Sequence, residues 1–144
     1  MNKAKRAVDT RRLYQFEEVN LLTYAKHNEA GSKARPLYWL QELSLSIWFE
    51  NNKHKRRWRC PEVAFGPGVF WCGQYQSYCL GNSYVELALG QRNAIVLIHE
   101  MTHVLGPGLH NRNFCHLNFD LLERYLGYDK AELEFHAAWH GIKL

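Results

Sequence analysis

"AIVLIHEMTHVLGPGLHNRNF", residues 94–114, is the stretch on which the fold turns. Its apolar run from Ala94 to Ile98 continues into Met101, Val104 and Leu105, which predicts a buried helix of roughly four turns. Gly106-Pro107-Gly108 ends that helix abruptly. "NRNFCHLNFDLLERYLG" then reads as an amphipathic helix with Asn111 near its cap and Gly127 at its stop, and "DKAELEFHAAWHG" as a last helix from Asp129 to Gly141.

Upstream, "VDTRRLYQFEEVNLLTYAKHNEA" spaces Leu13, Phe16, Val19 or Asn20, and Tyr24 near helical period, with Asp9 or Thr10 as cap. "GSKARP" breaks it through Gly31 and Pro36. "LYWLQELSLSIWF" predicts a second helix with Leu37, Leu40, Leu43 or Ser44, and Ile47 on one face. "NNKHKRRWRC" is a charged connector. The short runs "EVAFGPG", "VFWCGQYQSYCLG" and "SYVELALG" suit a small, mostly antiparallel sheet of about three or four strands. Helices, then sheet, then helices is the order of an α+β fold with segregated layers. At 144 residues, one domain over 1–144 is expected.

Composition narrows the class. With 47% apolar and 22% charged residues the chain reads as globular rather than disordered. Five Trp, eight Tyr and seven Phe favour a densely packed interior, with Trp39, Trp48, Trp71 and Trp139 in the core or at its edge. No apolar run approaches a membrane span. "MNKAKRAVDTRR" is basic with no apolar stretch behind it, so the cytoplasm is the expected compartment. Cys60, Cys72, Cys79 and Cys115 form no C-x-x-C pair and are expected to be reduced, mostly buried thiols. The net charge of +4 is compatible with an acidic partner and does not demand one.

Residues four apart on a helix share a face, so His99 and His103 can place two imidazoles on one ion. Glu100 follows the first of them, where a carboxylate can take a proton from water activated by the metal. This is the H-E-x-x-H (HExxH) spacing of zinc hydrolases. Burying these polar groups unpartnered would cost several kcal/mol, roughly, and a metal relieves that cost. A catalytic zinc takes three protein ligands and keeps one position open. His110 lies beyond the Gly-Pro-Gly turn, which lets the chain double back. Glu123 follows His103 with 19 residues between, the separation used in thermolysin-like enzymes. His116 is a further candidate. The metzincin pattern fits through Gly106, but its last position here is Leu109. Reach and donor type favour His110.

His99-Glu100-Met101-Thr102-His103, a short turn, and His110 followed by three residues and Phe114 resemble the SprT-like zincin metalloproteases, whose third ligand is commonly written His-Gly-x-x-Phe. The chain is most similar to the small bacterial and phage metallohydrolases, or metallopeptidases, of that kind. In these a stretch similar to "RRLYQFEE" opens the chain, a Trp-containing helix and a small sheet follow, and an Ala-rich helix ends it. The likeness covers most of the chain, and residues 84–114 are its specific part. Asn111 stands where the family usually has Gly, which bears on the turn and leaves the ligand intact. The resemblance implies a zincin-like fold, one zinc ion (Zn2+) per chain and peptide-bond hydrolysis, that is, a hydrolase acting on protein or peptide substrates. The natural substrate is not implied.

Lys53, His54, Lys55, Arg56, Arg57, Trp58 and Arg59 form the densest positive run. They suit either a contact to DNA or RNA, which some SprT-like proteases acting on DNA-bound proteins would use, or a solvated connector. His136 and His140 repeat the four-residue spacing without an acid between them. One of them, or Tyr125 or His116, is a candidate to stabilise an oxyanion. The strand around Tyr84 to Leu89 is a candidate to align an extended substrate by β-addition. The rival function is a nucleic-acid-binding or adaptor module with a structural zinc, closed by Cys115 or His116 as fourth ligand.

Overall fold

The computed structural model describes residues 9–22, 31–52, 59–71, 73–81 and 83–144. Helix α1 (Thr10–Glu17) opens on Asp9, whose carboxylate accepts from the backbone N–H of Arg11 and Arg12. Asp9 rather than Thr10 is therefore the cap. The chain then widens into a π-helical stretch, Glu18–Leu22. The expected continuation through Tyr24 lies outside the described residues.

Helix α2 (Leu37–Asn51) buries Leu40, Ser44, Ile47 and Trp48, close to the expected face. Helix α3 (Ala94–Leu105) starts at Asn93, whose side chain accepts from Val96 N–H. At 12 residues it is a little over three turns. Asn111 caps α4 (Arg112–Leu126) through Phe114 N–H, and Gly127, at φ 74°, ends it. Asp129 caps α5 (Lys130–Trp139).

The strands are β1 (Glu62–Phe65), β2 (Val69–Trp71), β3 (Gln74–Gln76), β4 (Tyr78–Leu80) and β5 (Tyr84–Leu87). They make two sheets where one was expected: a three-stranded sheet in the order β1-β5-β4 and a separate β2-β3 hairpin. The β1-β5 pair is parallel, with Val63 opposite Val85, while β4-β5 and β2-β3 are antiparallel. The intervening hairpin carries the chain back to its starting end, which is what a parallel pair requires. β5 is thus central and paired along both sides, so the expected β-addition of a substrate to it does not hold.

Helix α3 lies against α2, α4, β4 and β5, and it is buried almost all round. Ile95, Leu97, Ile98 and Met101 join Phe16, Leu40, Leu87, Phe114 and Phe119 in one buried cluster. At about 2–3 kcal/mol per fully buried large apolar side chain, this cluster is the main stabilising element. Of the tryptophans, Trp48 is core and Trp39 packs at the edge, as expected. Trp139 is 81% exposed and Trp71 is 41% exposed, so neither is core. Cys60 and Cys79 are half-buried, Cys115 is buried, and all three are free thiols; Cys72 lies outside the described residues. Among the described residues no helix is long and apolar enough to cross a membrane.

Candidate metal centre

The apolar run that opens α3 forces the helix into the core, and so carries His99 and Glu100 inward with only 5% and 6% of their surface exposed. One turn on, His103 faces the same side. The helix stops at Gly106, whose N–H still reaches Thr102 O at 3.0 Å, and the chain reverses through Pro107 and Gly108. That reversal returns His110 to the histidine pair. Leu109, at the metzincin position, points to solvent with 63% exposure.

The outcome is a cluster of three imidazoles. His110 Nε2 lies 3.0 Å from both His99 Nε2 and His103 Nε2. Among the described residues, His99, His103 and His110 are the group of side chains placed to hold a metal ion. Each ring also has its other nitrogen engaged. His99 Nδ1 donates to Glu17 Oε2 at 2.9 Å and His103 Nδ1 to the Pro107 carbonyl at 3.0 Å, while His110 Nδ1 lies 3.5 Å from Thr10 Oγ1. Donation from Nδ1 leaves the Nε2 lone pairs of His99 and His103 directed at the common point, which is how outer partners set metal-binding tautomers. Nitrogens on a tetrahedral zinc lie about 3.3 Å apart at ordinary bond lengths, so the donor set fits such an ion.

Phe114 floors the site. Its ring centroid lies 4.5–5.0 Å from those of all three imidazoles. Asn111, in place of the glycine of the resembling family, sits at φ -110°, a conformation open to any residue, and is the α4 cap. The turn therefore needs no glycine there.

Charge follows from this packing. Burial works against a charge on His99, but the Glu17 carboxylate outweighs it, and with Glu100 raises His99 to about 9. Burial lowers His103 to about 4 and His110 to about 3, with His99 adding repulsion. Burial likewise pushes Glu100 up to about 7, against the pull of His99. In the metal-free state one proton on His99 thus does the work of a cation among three nitrogens. Burial, and then the charge of the neighbouring Glu100 carboxylate, push the thiol of Cys79 on edge strand β4 up to about 12.

Sequence reasoning missed Thr10, Tyr14 and Glu17. They form one stripe of α1 at i, i+4, i+7, and that stripe forms the wall opposite α3. Tyr14 lies 5.6 Å from the His110 ring and 6.0 Å from the His99 ring, centroid to centroid. The available signal was Glu17, an acid beside Leu13 and Phe16 on the apolar face and buried with them. Glu17 Oε1 has no hydrogen-bond partner, while Oε2 takes the imidazole.

The other candidates lie elsewhere. Glu123 is exposed and accepts from Lys130 N–H at 2.9 Å, so it caps the turn into α5 and is no ligand. His116 lies 3.9 Å from Glu134 and His136 lies 3.7 Å from Glu132. His140 Nε2 pairs with Asn20 Nδ2 at 2.9 Å, and Tyr125 OH accepts from Asn51. None of these four lines the cleft over the cluster. Cys115 and His116 are not in the metal-binding group, so the expected fourth ligand of a closed site is not supplied by them. Of the basic run, Arg59 is exposed, and Lys53, His54, Lys55, Arg56, Arg57 and Trp58 lie outside the described residues.

A cleft of about 1020 Å³ opens beside the cluster, with His99 and Glu100 on its floor. Its lining also includes Tyr14 and Glu17 of α1 and Trp71 and Gln74 of the hairpin. Comparison with family models, with curated proteins and with solved structures gives no match.

Proposed function

We propose that the chain is a zinc-dependent metallopeptidase of the HExxH type, akin to the SprT-like zincins, with His99, His103 and His110 as ligands and Glu100 as general base. The observation that carries this reading is the convergence of three imidazole Nε2 atoms beside a buried carboxylate that lines an open cleft. Bound by the three histidines, zinc supplies a Lewis acid that polarises a scissile carbonyl and brings the pKa of water to about 7.

The chain's own groups supply the rest. Glu100, buried beside His99 and lining the cleft, is placed to take a proton from the attacking water and deliver it to the leaving amine. Glu17 orients His99, and the Pro107 carbonyl orients His103. Tyr14 covers the imidazoles on the α1 side and limits the water that reaches them.

The test is metal analysis joined to an assay with unfolded protein as substrate. One zinc per chain is expected, lost in His99→Ala and retained in Glu100→Gln, with hydrolysis lost in both. A wild-type protein that takes up no metal, or a Glu100→Gln variant that hydrolyses as wild type does, would sink the reading.

A further inference from the structure

The β2-β3 hairpin is more exposed than any other strand pair of the described residues, yet it is firmly rooted. At its start, Gly68 N–H donates to Glu86 Oε2 at 2.8 Å, and Tyr84 OH holds the other Glu86 oxygen at 2.7 Å. Gly66 leaves room for this, since a Cβ there would stand 2.3 Å from the Glu86 carboxylate. At its end, Ser77 Oγ accepts from Ala88 N–H, and Gln91 Oε1 accepts from both the N–H and the hydroxyl of Ser77. Gln91 Nε2 donates on to Gln76. Both ends are thus bolted to β5 and the segment leading into α3, and the hairpin is held as an arm over the cleft.

Strand alternation gives that arm two faces. Trp71 pairs across the ladder with Gln74, and Phe70 with Tyr75. Trp71 meets Tyr14 edge-on at 5.6 Å, so these two rings form an aromatic corner in the cleft that Glu100 also lines. The charged groups lining the cleft are of both signs, Arg11 and His99 with Glu17, Glu18 and Glu100, so the aromatic rings rather than net charge distinguish it. Leu89 and Val96 add apolar surface to the lining. A rooted aromatic corner beside the reacting centre is a side-chain pocket.

We infer that this arm sets specificity: the substrate is an extended polypeptide whose aromatic side chain, next to the scissile bond, packs against Trp71 and Tyr14. This rests on the metallopeptidase reading and names the substrate class for the same site. Burying a ring rather than a methyl group in such a pocket is worth about one to two orders of magnitude in kcat/KM.

The experiment is cleavage of a peptide library by the zinc-loaded protein, with cut sites sequenced, beside the Trp71→Ala variant on matched Phe, Ala, Glu and Lys peptides. Phe, Tyr or Trp is expected at one fixed position from the cut, with Phe preferred over Ala about tenfold or more. In Trp71→Ala the Phe-to-Ala ratio falls to within about threefold of unity. A flat library, a preference for Lys or Glu, or a Trp71→Ala variant that slows all peptides by one factor overturns the inference. Calorimetric binding of the same peptides to zinc-loaded Glu100→Gln protein separates the two readings. If nothing is cleaved but Phe peptides bind selectively through Trp71, the pocket stands and the peptidase fails; cleavage without selectivity is the converse.

Discussion

Replacing Glu17 by Gln tests the outer support of the candidate metal centre with little change of shape. The wild-type carboxylate holds the His99 imidazole at 2.9 Å and keeps its pKa at about 9. A metal entering at pH 7 must displace that proton, two units below the pKa. At 1.36 kcal/mol per unit this is about 2.7 kcal/mol, a factor of about 100 in apparent affinity. In Glu17→Gln the main raising partner is gone and burial is opposed only by Glu100, so the His99 pKa falls and far less of it is protonated at pH 7. The variant avoids most of the proton competition but loses a carboxylate partner, a loss worth about 10- to 100-fold in metal affinity. The two effects oppose at pH 7 and separate as pH rises. Zinc competition titrations with a chromophoric chelator are therefore expected to give near-equal affinities at pH 7, and a variant about 10- to 100-fold weaker at pH 9. Calorimetry in buffers of different ionisation enthalpy is expected to show about one proton released per zinc by wild type at pH 7.5, and far less by the variant. An affinity ratio that stays constant from pH 7 to 9 would refute the coupling between Glu17 and His99.

Without metal, stability should peak near pH 6.5. His103 and His110, with pKa lowered to about 4 and 3, lose stabilisation as pH falls below 6.5, whereas His99, raised to about 9, loses it as pH climbs from 6.5 through 9; Glu100, raised from 4.5 to about 7, loses its share between those two values and so offsets only part of the histidine gain below 6.5. Urea melts in a chelator across pH 5–9 check this, and a profile rising steadily to pH 9 would be inconsistent with it. Phe114→Ala removes a fully buried ring that touches all three imidazoles, so about 3–5 kcal/mol of stability should go, together with metal affinity; a loss below about 1 kcal/mol would show that the floor repacks. Gly73 and Gly68 both have positive φ, at 85° and 76°, but only Gly68 would drive a Cβ to 2.4 Å from Gln76 O. Gly73→Ala should cost about 1–2 kcal/mol and Gly68→Ala more, and equal costs in urea melts would count against the tight hairpin root.

Local chemistry made much of this legible. Ala94 to Leu105 reads as a buried helix because its apolar residues surround the axis, and the four-residue spacing of His99 and His103 is a property of any α-helix. The cap at Asn111, the start at Asp129 and the stop at Gly127 are local hydrogen-bond or φ requirements, so they are visible in the chain, whereas the Asn93 cap of α3 was not read there. The third histidine was legible too, because the Gly-Pro-Gly reversal limits how far the chain can travel before doubling back.

What the sequence left undecided was whatever depends on distant segments meeting. Glu17 and His99 are 82 residues apart, and nothing near either names the other. Thr10 reaches His110 across 100 residues. Likewise, the parallel β1-β5 pair and the detached hairpin arise because Glu86 and Gln91 bolt Gly68 and Ser77 in place, a choice of pairing that strand patterns do not encode. The histidine cluster was thus written locally in α3 and its turn. The proton on His99, the walls of the cleft and the arm over it were decided only when α1 and the sheet closed on that helix, because burial and pairing exist only in the packed state.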